Sequence, residues 1–215
     1  MIVNLLLGLP SARPGGLLLT VLFFMGAALA AMAAGFAYGA LCVVIPRASL
    51  PLQGASALVR GVPLLLLMFL LSQTTGLPIG ASGLLALILY SFAYVGEIIR
   101  SFLASYPVSL ADQARVMGLG PVSEWLRLRV PWTIGSALDA LGTHWISLLK
   151  DTGALVVLGI GELTSVAKVL SETTASYDRW ILVLVTAAGV YLSVTLSLIQ
   201  GLRVVRGLRF AQGLG

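Results

Sequence analysis

Apolar residues are concentrated in four stretches that carry few charges and are long enough to cross a lipid bilayer. A membrane-spanning helix needs about 20 such residues. The first stretch has 29 residues without a charge, and the last has 23. We therefore predict membrane-spanning helices over Leu17–Ile45, Leu50–Ser72, Ala81–Ile99 and Trp180–Leu202.

A fifth crossing is predicted over residues 132–170, where the pattern is irregular. The segment is too long for one simple helix, and the polar run Leu149–Gly153 interrupts it. Non-helical backbone survives at membrane depth only where it is buried in protein or lines a water-filled cavity. Lys150 and Asp151 are therefore candidates for the lining of a translocation path. The alternative is a charged pair at the membrane interface.

Three more residues within the predicted spans are candidates for the same lining. Arg60 is costly at membrane depth unless it faces a polar cavity or extends to the interface. Pro63, together with Gly61, loosens the helix beside it. Glu97 is placed to pair with Arg100 one turn later, or to face a partner helix.

Small residues spaced by four predict close helix packing on two spans. They are Gly35 and Gly39 on the first span, and Gly189, Ser193, Ser197 and Gly201 on the last.

Composition places the chain in the membrane. Of its 215 residues, 59% are hydrophobic and only 10% are charged, whereas soluble domains carry about 25% charged residues. We expect an all-α polytopic protein with a single transmembrane domain over residues 1–215, in which residues 1–16 are an N-terminal interfacial segment. The surroundings are then the lipid bilayer, and no nucleic-acid partner is expected. Because residues 1–10 carry no positive charge, no cleavable signal peptide is expected.

The positive charges also predict an orientation. If the polar stretch at residues 109–131 faces the cytoplasm, eight positive residues lie on that side and three on the other, which predicts an outside N-terminus and a cytoplasmic C-terminus. The eight are Arg47, Arg100, Arg115, Arg127, Arg129, Arg203, Arg206 and Arg209, and the three are Arg13, Lys168 and Arg179.

The polar stretch Ser109–Pro131 carries signals for two short helices. Ser109 and Asp112 fit a capping box at a helix start, and Gly118 suits the left-handed position that ends a helix. Pro121 is favoured in a first helical turn, and Pro131 is expected to close the second helix. These signals predict a rigid helix pair; an ordinary amphipathic interfacial loop is the alternative.

This stretch resembles the cytoplasmic loop of bacterial ABC importer permeases. The family's loop has Glu-Ala-Ala, a glycine four residues after the second alanine, and a proline well downstream. Here Asp112-Gln113-Ala114 precedes Gly118, and Pro131 follows thirteen residues later. Other stretches resemble the polar amino-acid branch of the family and occur in its order: residues 60–65, 93–100, 149–152 and 161–164.

The resemblance implies a permease subunit of an ATP-driven importer for polar amino acids. Separate ATP-binding cassette subunits would drive alternating access, an extracytoplasmic solute-binding protein would deliver solute, and a second permease subunit would complete a homodimer or heterodimer. Two loop residues depart from the family pattern, because Asp112 stands where glutamate is usual and Gln113 where alanine is usual. The residues that would couple to the ATPase are Asp112, Gln113, Ala114, Arg115, Gly118, Leu119 and Pro131.

Rival functions have less support in the sequence. The chain has no G-x-x-x-x-G-K-[ST] motif, so we expect no ATP site of its own; no cofactor and no metal are expected either. A secondary transporter would work without an ATPase partner. An intramembrane serine protease would need Ser82 and His144 within hydrogen-bond reach, about 3 Å.

Overall fold

The structure of the chain, a computed structural model, describes residues 1–11, 13–173 and 177–211. Residues 174–176 of the predicted polar loop lie outside that description, as do the side chains of residues 177 and 208–211, Arg209 among them. Within the described residues the chain is helical without a β-strand, which confirms the all-α prediction. The α-helices are α1 (Ile2–Leu7), α2 (Gly16–Val44), α3 (Pro46–Gly61), α4 (Leu64–Thr74), α5 (Ile79–Ala104), α6 (Val108–Val116), α7 (Pro121–Glu124), α8 (Val130–Ser136), α9 (Leu138–Asp151), α10 (Leu163–Glu172) and α11 (Tyr177–Ala211).

Three of the described helices are long and apolar enough to cross a membrane alone. They are α2, α5 and the Asp178–Gly207 part of α11. α5 and α11 contain the third and last predicted spans and extend them at both ends, and α2 covers the first predicted span except its final residue, Ile45. The first, third and last predicted crossings are therefore confirmed as continuous helices.

The second predicted span is not one straight helix. Its two halves, α3 and α4, meet at a bend of 98°. Val62 is extended there, with φ −85° and ψ 125°, because the ring of Pro63 disfavours the helical conformation in the residue before it. The loosening predicted beside Pro63 is therefore a sharp bend, and the bent pair together is apolar enough to make a fourth crossing.

The α-helix of the irregular segment ends at Asp151, within the run Leu149–Gly153 where a break is predicted. Leu149–Asp151 still belong to α9, and a 3₁₀-helix, Thr152–Leu158, continues the chain. Gly159 then takes the left-handed conformation at φ +74° before α10 begins. Because α9 has only 14 residues, it is too short to cross alone, and the fifth crossing stays a prediction.

The packing of α2 against α5 depends on the two glycines predicted for close contact. A Cβ added to Gly35 would lie 2.9 Å from the backbone nitrogen of Gly96, and one added to Gly39 would lie 2.9 Å from that of Arg100. The prediction for this pair is confirmed. The stripe on α11 is different, because nothing lies within 4 Å of the positions that a Cβ would take at Gly189 and Gly201. Within the described chain the stripe has no packing partner.

A buried carboxylate joins α2, α10 and α11. Glu162, which is fully buried, caps α10 by accepting hydrogen bonds from the backbone nitrogens of Thr164 (2.9 Å) and Ser165 (2.7 Å). Its Oε2 also accepts from the hydroxyls of Tyr191 (3.0 Å) and Thr20 (3.4 Å). Glu162 therefore fixes the end of the irregular segment between two membrane-spanning helices.

Candidate coupling loop and translocation path

The first helix of the polar stretch begins one residue before the predicted cap. α6 starts at Val108 behind Pro107, and no side chain caps its N-terminus. Ser109 is already its second residue, so the predicted capping box is wrong. Asp112 instead pairs along the helix, its Oδ1 accepting from Nη1 of Arg115 at 3.1 Å. Both side chains of this pair are exposed.

The end of α6 confirms the role predicted for Gly118. This residue has φ +71°, and its N–H donates to the carbonyl of Arg115 at 2.9 Å. The next N–H, of Leu119, donates to the carbonyl of Ala114 at 3.0 Å. Two such bonds across a left-handed residue make a Schellman motif, which ends a helix sharply.

The second helix begins at Pro121 as predicted, but Pro131 does not close it. α7 passes into a π turn, Trp125–Arg129, and then into α8, which runs to Ser136. Proline cannot donate to the carbonyl four residues back, and its ring clashes there. The wider π turn, in which the N–H of Val130 donates to Trp125, precedes the proline and lets the helix continue past it.

Arg129 lies in an aromatic cage that connects this helix with the end of α5. Its guanidinium carbon is 4.7 Å from the ring centroid of Tyr106 and 5.3 Å from that of Trp125. Its Nη2 lies 3.3 Å from Oε1 of Glu124, and Trp132 contacts Tyr106 edge-on. Burial raises the pKa of Tyr106, and the Glu124 charge adds to that effect while Arg129 opposes it. Sequence reasoning missed this cage, because Tyr106 lies outside the helix that carries Arg129.

The loop exposes several large apolar side chains. Ala114 is fully buried, whereas five larger apolar side chains are between 65% and 89% exposed. We call these five the outer face. They are Val108, Val116, Met117, Val122 and Leu126.

The first group of predicted path residues gathers around Glu97. Its Oε1 accepts from Nε of Arg100 at 2.9 Å, which confirms the predicted local pair. Its Oε2 accepts from the hydroxyl of Tyr38 on α2 at 3.3 Å. Arg60, at the end of α3, is close enough for its charge to act on Glu97. The Nε of Arg60 is buried and has no hydrogen-bond partner in the described structure.

A second group lies where α5 meets α9. His144 Nε2 and Ser91 Oγ are 2.8 Å apart in a buried hydrogen bond. The imidazole stacks on Tyr94 with ring centroids 5.4 Å apart, and Tyr94 contacts Tyr90 at 5.1 Å. The charge of Asp151 acts on Tyr90. The tyrosines were not predicted, although the sequence places them on one face of α5.

Tyr90, Tyr94 and Glu97 follow one another at helical spacing, over about 10 Å of α5. Each is partly buried in the single chain. The structure therefore brings Arg60 to the Glu97 end of this face and Asp151 to the Tyr90 end. Lys150 is exposed, and the described ion pairs do not join it to Asp151. Pro63 marks the bend between α3 and α4.

The protease hypothesis is contradicted by the geometry. The Oγ of Ser82 lies 3.4 Å from Thr75 Oγ1 and from the carbonyl of Leu77. His144 is bonded to Ser91 instead, so it is not available as the base for Ser82. In the part of the chain that the structure describes, no three His, Cys, Asp or Glu side chains converge to hold a metal.

Comparison with known proteins identifies the family. The family model described as "Binding-protein-dependent transport system inner membrane component" matches residues 35–209. The chain belongs to this family. Together with its apolar helices, membership makes it a multi-pass inner-membrane protein.

Relatives within the family are named as amino-acid permeases. The arginine ABC transporter permease ArtQ of Haemophilus influenzae is 30% identical over 177 residues, which cover 76% of this chain and 79% of that one. ArtQ of Escherichia coli K12 is 32% identical over 114 residues, covering 53% of this chain. That match spans only about half, 47%, of the E. coli protein. A probable glutamine ABC transporter permease of Bacillus subtilis is 30% identical, with 65% and 66% covered.

Solved structures of ABC transporters share the fold. An amino acid ABC transporter crystallised with histidines superimposes with a TM-score of 0.76 at 25% identity, covering 89% of this chain and 91% of that one. The MetNI methionine ABC transporter, in an inward-facing conformation, gives a TM-score of 0.72 at 14% identity, with 87% and 93% covered. At this identity, the similarity to MetNI shows a shared fold and nothing further.

Proposed function

We propose that the chain is the membrane-spanning permease subunit of an ATP-driven importer for polar amino acids. In this proposal, separate ATP-binding cassette subunits hydrolyse ATP, and this chain has no ATP site. An extracytoplasmic solute-binding protein delivers the solute, and a second permease subunit, identical or homologous, completes the path through the bilayer. The N-terminus lies outside and the C-terminus in the cytoplasm.

The geometry of the coupling loop, residues 108–131, carries the proposal. Its outer face exposes five large apolar side chains on a segment that also carries five of the chain's 21 charged residues. Large apolar side chains exposed within one short segment fit a surface that a partner protein covers. The Asp112–Arg115 pair and Gln113 lie on the same short helix, α6, and are the positions that the family resemblance assigns to ATPase contact.

The loop is also rigid enough to transmit movement. The Schellman motif fixes the end of α6, and the helix from Pro121 continues without interruption into α8. A helix pair of this kind passes on displacement that a flexible loop would absorb. We therefore assign Gly118 and Leu119 a role in coupling to the ATPase because they form the turn between the two helices. Pro131 is assigned the same role because it lies within the continuous second helix.

The partly buried polar face of α5, formed by Tyr90, Tyr94 and Glu97, supports a translocation path. Glu97 lies on it beside Arg60, and Asp151 lies at its other end. Charged groups within a membrane protein usually face the interior of the assembly or a water-filled cavity. We place Arg60, Pro63, Glu97, Lys150 and Asp151 along this path, which the second permease subunit would close.

Reconstitution tests the proposal. The chain would be co-expressed with an ATP-binding subunit and a solute-binding protein from the same organism, and the purified complex would be placed in liposomes. We expect co-purification, ATP hydrolysis stimulated by loaded binding protein, and ATP-dependent uptake of a labelled polar amino acid such as arginine or glutamine. Uptake by the chain alone, driven by an ion gradient, would instead establish a secondary transporter.

A further inference from the structure

We infer that Arg129 is the positioning residue that holds the coupling loop to the membrane-spanning helix α5, so that displacement of the loop moves α5. The inference rests on the proposed function, since it concerns the coupling of ATP hydrolysis to transport. It assigns a role to a side chain that lies outside the residues implicated by the family's loop pattern.

The linker after α5 and the second helix of the loop meet at this one side chain. Tyr106 belongs to the short linker Ser105–Pro107 between α5 and α6, and the Arg129 guanidinium lies 4.7 Å from its ring centroid. Trp125, at 5.3 Å, begins the π turn that Arg129 ends. Glu124, at 3.3 Å, is the last residue of α7.

The cage suits a guanidinium better than any other cation. The Arg129 side chain is 21% exposed and that of Glu124 is 17% exposed, so the ion pair is largely shielded from water. The Nε of Arg129 is buried and has no hydrogen-bond partner among the described atoms, so the aromatic rings supply much of its surroundings. A planar, weakly hydrated guanidinium stacks on such rings, whereas an ammonium is a compact and strongly hydrated charge.

The position of Tyr106 explains why the contact would transmit movement. Without a contact to the second helix, the linker Ser105–Pro107 could act as a hinge between α5 and the loop. Arg129 and Trp132 instead hold the Tyr106 ring from the far side of the loop. Displacement of the loop is then passed to α5, which carries Tyr94 and Glu97 of the candidate path.

The test measures how much solute is transported for each ATP hydrolysed by the reconstituted complex. Arg129→Met keeps most of the length and removes the charge, and we expect this ratio to fall about tenfold, within the range that single residues exert on coupling. Arg129→Lys keeps the charge but not the planar stack, and should give an intermediate ratio. Tyr106→Leu removes the ring from the linker side and should lower the ratio as Arg129→Met does.

Arg47→Met is the control. Arg47 lies in the first turn of α3, outside the coupling loop, is exposed, and has no ion-pair partner in the described part of the chain, so the transport ratio of this variant should stay at the wild-type value. If uptake and hydrolysis fall in proportion in the Arg129 variants, the ratio is unchanged and the residue has only a structural role. An unchanged ratio in Tyr106→Leu would also overturn the inference. Failure of the wild-type chain to bind an ATP-binding subunit would instead refute the proposed function.

Discussion

Two glycines in the turn of the coupling loop have different backbone requirements in equally open surroundings. Gly118 has φ +71° and Gly120 has φ −70°. Nothing lies within 4 Å of the position that a Cβ would occupy at either residue. A methyl group at these positions therefore tests backbone conformation without any steric clash.

We predict that Gly118→Ala weakens coupling and that Gly120→Ala does not. The left-handed conformation costs a residue with a Cβ about 1–2 kcal/mol, which favours opening of the Schellman turn at residue 118. ATP hydrolysis stimulated by solute-loaded binding protein should therefore fall several-fold in Gly118→Ala and stay near wild type in Gly120→Ala. Equal activity of the two variants would show that docking does not require this turn.

Glu162 gives a second prediction for a single residue. Glu162→Gln replaces one carboxylate oxygen, which accepts hydrogen bonds, with an amide NH₂, which donates them. Because the neighbours of Glu162, such as the backbone N–H of Thr164, are themselves donors, two donors would then face each other. Leaving buried polar groups unpaired costs about 1–3 kcal/mol, so the melting temperature in detergent should fall. Glu172→Gln is the control, because within the described residues Glu172 makes one polar contact, an exposed one with Lys168 at 3.9 Å. A similar shift in both variants would mean that the buried network contributes little.

At the scale of the elements, the contact between α2 and α5 organises the membrane part of the described chain. The backbones approach so closely at Gly35 and Gly39 that a Cβ would meet backbone atoms of α5 at 2.9 Å. Backbone atoms cannot turn aside as a flexible side chain can. The helices would have to separate to admit even a methyl group.

Gly35→Ala should therefore destabilise the protein. Overpacking of this kind typically costs about 1–3 kcal/mol, which a thermal unfolding assay in detergent would detect. Gly26→Ala, on the same helix, is the control: its Cβ would lie 3.4 Å from the mobile end of Leu84, and alanine is the better helix former. A stability loss in Gly26→Ala as large as that in Gly35→Ala would contradict the backbone argument.

Features that depend on a few neighbouring residues could be predicted from the sequence. The uninterrupted apolar runs predicted α2, α5 and α11. The backbone preferences of glycine and proline predicted the turn at Gly118 and the start of the second helix at Pro121. Each of these follows from backbone conformation or hydropathy within a short window.

Features that depend on competing or distant interactions could not be predicted. Pro131 is accommodated by a π turn, which no local pattern in the sequence indicates. The bend at Pro63 was underestimated, since the same residues are compatible with a loosened but straight helix. The Arg129 cage and the Ser91–His144 bond join residues 23 and 53 positions apart. Contacts over such separations depend on how the helices pack, which hydropathy and spacing do not determine.

At the scale of the whole molecule, the proposed mechanism requires the outer face of the coupling loop and the N-terminal helix α1 to lie on opposite sides of the membrane. The chain is well suited to a test by thiol labelling, because its single cysteine, Cys42, is buried at 4% exposure. Val3 on α1 and Val116 on the outer face are 56% and 89% exposed. Cysteines introduced there in a Cys42→Ser background would report on the two sides separately.

We predict that a membrane-impermeant maleimide labels Val3→Cys in right-side-out membrane vesicles and Val116→Cys only in inverted vesicles. Labelling of the denatured proteins would confirm that both thiols react. The reverse pattern would mean that the positive charges do not determine the orientation as proposed.

Co-expression of the ATP-binding subunit should then protect Val116→Cys in inverted vesicles, because docking would cover the outer face. If Val116→Cys reacts equally fast with and without that subunit, the loop does not dock through this face, whatever its orientation.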